Sequence, residues 1–150
     1  MKPLYTARAT VTGGRDQGHG RTDDGVLEVD LRMPKEMGGQ GGGTNPEQLF
    51  AVGYASCFES ALKLVARRER LEADDVSVES AVTLTPTPDR AFELGVELDV
   101  TLPSVDDADE AVRLVELAHK VCPYSNATRG NIEVALTANG KPVGAVAAQN

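Results

Sequence analysis

Cys57 and Cys122 are the two cysteines of this 150-residue chain. Two thiols can do what one cannot: the first attacks an oxidant and becomes a sulfenic acid, and the second condenses with it into a disulfide. Cys57 stands inside the run Gly53-Tyr54-Ala55-Ser56-Cys57-Phe58, and Cys122 stands just before Pro123, where a helix is expected to end. The bland alternative is strong for Cys57, because free cysteine commonly behaves as a small buried hydrophobe and buried structural cysteines are inert. Position alone favours that alternative for Cys57. It leaves Cys122 open, since this residue fits an apolar stripe as well as an element boundary.

A reactive Cys57 would need help. Burial in an apolar helix raises a thiol pKa, and the field of the helix N-terminus fades within its first turn. A cation must come from elsewhere in the chain. Arginine suits better than lysine, because it keeps its proton when desolvated, and it would need a carboxylate to orient it and offset its burial. A metal site is a poor reading: His19 and His119 lack the close pairing with both cysteines that structural zinc requires. The glycine-rich stretch from Gly38 to Gly43 lacks the Gly-Lys-Ser/Thr ending of a phosphate loop.

The elements that must position these residues can be read from periodicity. Tyr5, Ala7, Ala9 and Val11 alternate with polar residues and predict a strand, and Leu27, Val29, Leu31 and Met33 predict another. Between them, Gly13 to Gly20 reads as a turn-rich loop. Asn45 is a good helix N-cap, Pro46 suits the first helical position, Glu47 favours the positive end and Gln48 stands three residues after the cap. From Leu49 to Val65 the helix is apolar almost all round, which predicts burial on every side. Alternation then predicts strands over Val76–Leu84 and Phe92–Leu102, joined by a turn at Pro86–Arg90. Ser104 is the expected cap of a second helix with the stripe Val112, Val115, Ala118 and Cys122. Ile132, Val134 and Leu136 predict a last strand before the Asn139-Gly140 turn. No βαβ alternation repeats, so the expected class is α+β with antiparallel sheets, in one domain over residues 1–150.

Composition narrows the function classes. A net charge of −8 argues against a nucleic-acid footprint and against docking on anionic lipid. Met1 to Tyr5 lacks the apolar core of a signal peptide, and no stretch reads as a membrane span of roughly 20 apolar residues. The expected location is the cytoplasm, where a disulfide is more often catalytic or redox-sensing than structural.

Two segments carry a family resemblance. Gly43-Thr44-Asn45-Pro46-Glu47-Gln48-Leu49-Phe50-Ala51-Val52-Gly53-Tyr54-Ala55-Ser56-Cys57-Phe58 closely resembles the central-helix signature of the organic hydroperoxide resistance (Ohr) family. Ala118-His119-Lys120-Val121-Cys122-Pro123-Tyr124-Ser125-Asn126-Ala127-Thr128-Arg129-Gly130-Asn131 resembles its second-cysteine signature, which separates the group from its osmotically induced (OsmC) relatives. The likeness extends over nearly the whole chain, including Thr12-Gly13-Gly14-Arg15-Asp16. It implies an OsmC-like fold in an intertwined homodimer, with sheets wrapped around central helices. It implies a thiol peroxidase with Cys57 as the attacking residue, Cys122 as the resolving residue, Arg15 as the activating cation and Glu47 as its carboxylate partner. The reductants of the family are lipoyl groups on lipoylated proteins, with no resident cofactor.

Helix geometry adds a constraint. Glu47 and Cys57 are ten residues apart, which is roughly 15 Å along a helix and about 80° around it. One arginine cannot bridge both on a straight helix. Either the helix breaks near Gly53, or Arg15 and Glu47 serve Cys57 of a second subunit. Phe50, Phe58, Met37 and Tyr124 are candidates to line a pocket for an alkyl group, with ordinary core as the competing reading for each. Two other functions stay open on the same fold: a redox sensor that signals through a partner, and a ligand-binding protein with inert cysteines.

Overall fold

The structure is a computed structural model that describes residues 1–144. The chain falls into two compact units, Met1–Leu49 and Phe50–Asn150. The first holds three antiparallel strands in spatial order: β1 (Ala9–Thr12), β2 (Gly18–Thr22) and β3 (Glu28–Leu31). A 3-10 turn follows at Lys35–Met37. Thr44 is then tied to the end of β3, its N–H donating to the Asp30 carbonyl while its own carbonyl accepts from Arg32 N–H, both at 2.9 Å. This tie sets where the first helix starts.

Helix α1 spans Pro46–Arg68 without a break. Asn45 is its cap: the Oδ1 atom accepts from Gln48 N–H at 2.8 Å, satisfying one of the free donors of the first turn. The Gln48 side chain does not reach back to the cap, as a full capping box would require; it accepts from the Thr44 hydroxyl at 2.8 Å.

In the second unit α1 packs on a sheet ordered β4-β5-β6-β7. These strands are β4 (Ser77–Pro86), β5 (Phe92–Thr101), β6 (Val134–Ala138) and the two-residue β7 (Lys141–Pro142). Helix α2 (Ala108–Val121) and the short α3 (Pro123–Thr128) connect β5 to β6. The core joins Tyr54, Phe58, Leu62 and Val65 of α1 to Leu98 and Val100 of β5, Leu114 and Ala118 of α2, and Leu136 of β6.

The α+β class holds, with two sheets. Several local expectations change. Gly18 to Gly20, expected as loop, belong to the strand Gly18–Thr22, whose inward positions are Gly18 and Gly20. Its period of two is written in glycine, so no apolar alternation marks it. Glycine is required there by space: a Cβ on Gly18 would lie 1.9 Å from the Gly14 carbonyl oxygen. The β5–β6 pair is parallel, from Val96↔Val134 to Val100↔Ala138, because α2 and α3 carry the chain back to the starting end of the sheet. The cap of α2 is Asp107, which accepts from Glu110 N–H at 3.0 Å, whereas Ser104 donates to Asp75.

The largest departure concerns α1. Its buried positions Tyr54, Phe58, Ala61, Leu62, Val65 and Ala66 form one face. Val52 is 72% exposed and Leu64 37%. A single chain therefore covers only one side of a helix that is apolar on several. By length and composition α1 is also long and apolar enough to cross a bilayer, contrary to the expectation of no such stretch. Its buried face belongs to the core of the second unit, and Glu59 and Lys63 pair at 2.6 Å on its surface.

On the outer side of the first sheet, His19 Nδ1 meets Asp30 at 2.9 Å and Nε2 meets Glu28 at 2.8 Å. The two carboxylates raise the imidazole pKa above its usual value, Asp30 foremost. A raised folded-state pKa gives stabilisation that is complete below about 6.5 and lost as pH rises through the folded-state value. The stability difference between the native protein and His19→Gln is expected to shrink between pH 6 and pH 9, as read by thermal unfolding at each pH. A constant difference would contradict the charged bridge.

Candidate active site

Arg15 lies in the turn between β1 and β2, after Gly13 and Gly14, whose φ values are +78° and +63°. A Cβ on Gly13 would stand 2.2 Å from the Gln17 carbonyl oxygen, so only glycine fits this backbone. The turn presents the guanidinium to Glu47 in a fork: Nη1 donates to Oε2 and Nη2 to Oε1, both at 3.0 Å. Two parallel charge-assisted bonds fix the plane of the guanidinium as well as its position. The bonds from Arg15 hold the Glu47 carboxyl below its usual range, and the same pairing raises Arg15. Within the pair, neutral overall, the Arg15 guanidinium is held charged and oriented.

The two cysteines meet in the second unit. Cys57 is half-buried on α1, Cys122 is fully buried, and both are free thiols. Cys122 is at once the C-cap of α2 and the N-cap of α3, with φ −61° and ψ 122°. Burial pushes the Cys57 thiol above its ordinary range. The backbone N–H of Tyr124 works against this by donating to the sulfur, while a hydrogen bond with the Cys122 side chain favours the neutral thiol. The two side chains are thus neighbours, and burial disfavours the Cys57 thiolate.

Around the pair lie aromatic and polar groups. Phe50, Tyr54 and Tyr124 form a triangle with ring centroids 5.6–6.1 Å apart. Gly53 makes room for it, since a Cβ there would be 2.8 Å from the Tyr124 hydroxyl. Phe50 and Tyr124 also line an apolar cavity of about 630 Å³ that includes Leu94 and Ile132. Beneath, the Tyr54 hydroxyl bonds Ser125 Oγ at 2.8 Å and Thr128 Oγ1 at 3.2 Å, and Ser125 Oγ bonds His119 Nδ1 at 2.9 Å. Burial, and then the nearby Arg129 charge, lower His119 to about 4, so it is neutral at ordinary pH.

Arg15 is therefore paired with Glu47, and Cys57 is beside Cys122. Of the four pocket candidates, Phe50 and Tyr124 line the cavity. Phe58 is fully buried in the core, and Met37 sits exposed on the 3-10 turn of the first unit. Periodicity marked Tyr54 as one more apolar residue of α1 and gave no sign of its hydroxyl partners. The available signal was the placing of His119 and Ser125, each three residues from Cys122. Among the described residues, no group of three or more His, Cys, Asp and Glu is placed to hold a metal.

Comparison with known proteins agrees with this architecture. The model of the OsmC-like protein family matches residues 39–137. An organic hydroperoxide resistance protein of Xanthomonas axonopodis pv. citri is 52% identical, over 91% of this chain and 95% of its own. The crystal structure of an organic hydroperoxide resistance protein from Legionella pneumophila superposes with a TM-score of 0.86 at 53% identity, covering 90% of this chain and 97% of that one. For OhrB of Bacillus subtilis the TM-score is 0.80 at 47% identity, covering 89% and 98%. This chain belongs to the OsmC-like family and, within it, to the organic hydroperoxide resistance group.

Gly13→Ala is expected to destabilise the fold by more than about 1 kcal/mol, because it adds positive-φ strain to a steric clash. It should also disturb the Arg15–Glu47 fork. Chemical denaturation and a crystal structure of the variant read the two effects.

Proposed function

We propose that the protein detoxifies organic hydroperoxides as a cysteine-based peroxidase. The observation that supports this most strongly is the meeting of Cys57 and Cys122 in a chain that also holds a forked Arg15–Glu47 pair. The relatives named for organic hydroperoxide resistance support the same reading. In the first step the Cys57 thiolate attacks one peroxide oxygen. The O–O bond breaks, an alkoxide leaves and takes up a proton to become an alcohol, and the sulfur becomes a sulfenic acid. In the second step Cys122 attacks that sulfur. The S–O bond breaks, an S–S bond forms, and the hydroxide leaves with the thiol proton as water. An external dithiol, lipoyl-type in this reading, then reduces the disulfide by exchange, and no resident cofactor is needed. The cycle suits the cytoplasm, where thiols are held reduced.

The raised Cys57 pKa makes a cation necessary. Arg15 supplies it in this reading, stabilising the thiolate and the charge developing on the peroxide oxygens, with Glu47 orienting it. Because α1 is unbroken from Pro46 to Arg68, Glu47 and Cys57 remain roughly 15 Å apart along it. We therefore assign Arg15 and Glu47 of one subunit to the Cys57 of another, in a homodimer with shared sites. The apolar side of α1 left open at Val52 and Leu64 fits such a partner. The cavity bounded by Phe50 and Tyr124 is the candidate seat of the alkyl group.

Consumption of cumene hydroperoxide with dihydrolipoamide should reach many equivalents per subunit and exceed that with thioredoxin. Cys57→Ser should fall to background. Consumption of a single equivalent by the wild type would indicate a sensor instead. Arg15→Ala should lower the rate about 10²–10³-fold and move Cys57 alkylation to higher pH. If wild-type Cys57 reacts only above the free-thiol range of about 8.5, the peroxidase reading fails. Mixed dimers of Arg15→Ala and Cys57→Ser subunits should regain about half the wild-type activity, since one complete site forms per symmetric dimer. No recovery would contradict shared sites.

A further inference from the structure

We infer that Tyr54 and Ser125 are positioning residues for the disulfide-forming step, an inference that deepens the peroxidase reading and rests on it. The buried hydrogen bonds between them join the two cysteine-bearing backbones one turn from each sulfur. Tyr54 precedes Cys57 by three residues on α1, so both lie on neighbouring positions of one helix face. Ser125 follows Cys122 by three residues on α3, and His119 precedes it by three on α2. The Tyr54 hydroxyl bonds Ser125 and Thr128, and Ser125 bonds His119. One oxygen on α1 is thereby connected to both helices that flank Cys122.

All these groups are satisfied together. His119 Nδ1–H can donate to Ser125, Ser125 to Tyr54, and Tyr54 to Thr128, whose hydroxyl donates to the Ser125 carbonyl at 3.2 Å. Tyr54 and Ser125 are fully buried, so water does not compete for these bonds. Burial also keeps the Tyr54 hydroxyl protonated beyond its ordinary range. The geometric demand is strict, because a disulfide requires Cα atoms roughly 4.4–6.8 Å apart. Cys122 sits at the joint between α2 and α3, with extended backbone and no helical hydrogen bonds of its own beyond the caps. Apolar packing excludes water from such a joint but does not set its register. The directional bonds to Tyr54 do.

Tyr54→Phe removes one oxygen and keeps the ring; Ser125→Ala removes the hub from the other side. In each, sulfenic acid formation on Cys57 and closure to Cys57–Cys122 are followed by mass spectrometry, with cumene hydroperoxide and separately with diamide. Diamide accepts two electrons and two protons from the thiol pair and so reads closure without the peroxidase step. Closure is expected to slow about ten- to hundredfold with both oxidants. Sulfenic acid formation should be slowed far less, and Cys57 sulfinic acid should appear at lower peroxide. Wild-type closure rates in the two variants would overturn the inference. Equal slowing of both steps would overturn it too, since that marks a general loosening of the core. If the wild type closes with diamide but ignores the hydroperoxide, the peroxidase reading fails, and the diamide rates still decide the positioning role.

Discussion

Desolvation of one thiol governs the design of this molecule. Cys57 is carried by a helix whose neighbours are apolar, and its charged form is disfavoured there. A protein that only needed a core residue at this position would require nothing further. This one also carries an arginine held in a two-pronged bond by a carboxylate, on a turn that two positive-φ glycines allow. A forked ion pair of this kind fixes orientation as well as position. In the proposed function it serves as a source of oriented charge.

Helix α1 is where the opposing demands meet. Its first turn offers Glu47 to Arg15, its middle carries Cys57, and its inner face anchors the second sheet through Phe58, Leu62 and Val65. Such a helix has to be apolar, so that the thiol stays away from bulk water. The consequence is a side that one chain does not cover, at Val52 and Leu64. The same composition that makes α1 suitable as a core element makes it long and apolar enough to cross a membrane. Tertiary packing of one face, not hydropathy, distinguishes the two cases.

Much of this was legible in sequence because local chemistry agreed with the fold. The Asn45-Pro46 start of α1, the alternation through β4 and β5, and the need of a buried thiol for an arginine and a carboxylate all follow from residue types and spacing. What was hidden follows from physical causes too. The glycine strand β2 is silent to any hydrophobic scan, because its inward positions have no side chains. The parallel partnership of β6 depends on where α2 and α3 deliver the chain, which no local pattern records. One-sided burial of α1 reflects how much surface a single chain can supply. The hydroxyl of Tyr54 finds Ser125 and Thr128 only through tertiary closure, far along the sequence, so periodicity counts it simply as one more ring.

The β5–β6 crossover also orders events in time. Since β6 lies parallel to β5, the chain must travel through α2 and α3 before that edge of the sheet can close, and long-range pairings of this kind form slowly. During synthesis from the N-terminus, α1 and the β4–β5 hairpin are made before Cys122. The newborn chain therefore holds a single cysteine for part of its synthesis, and until Cys122 is added no bond between the two sulfurs can guide its collapse. In the proposed cycle the crosslink comes later, in the working life of the finished molecule.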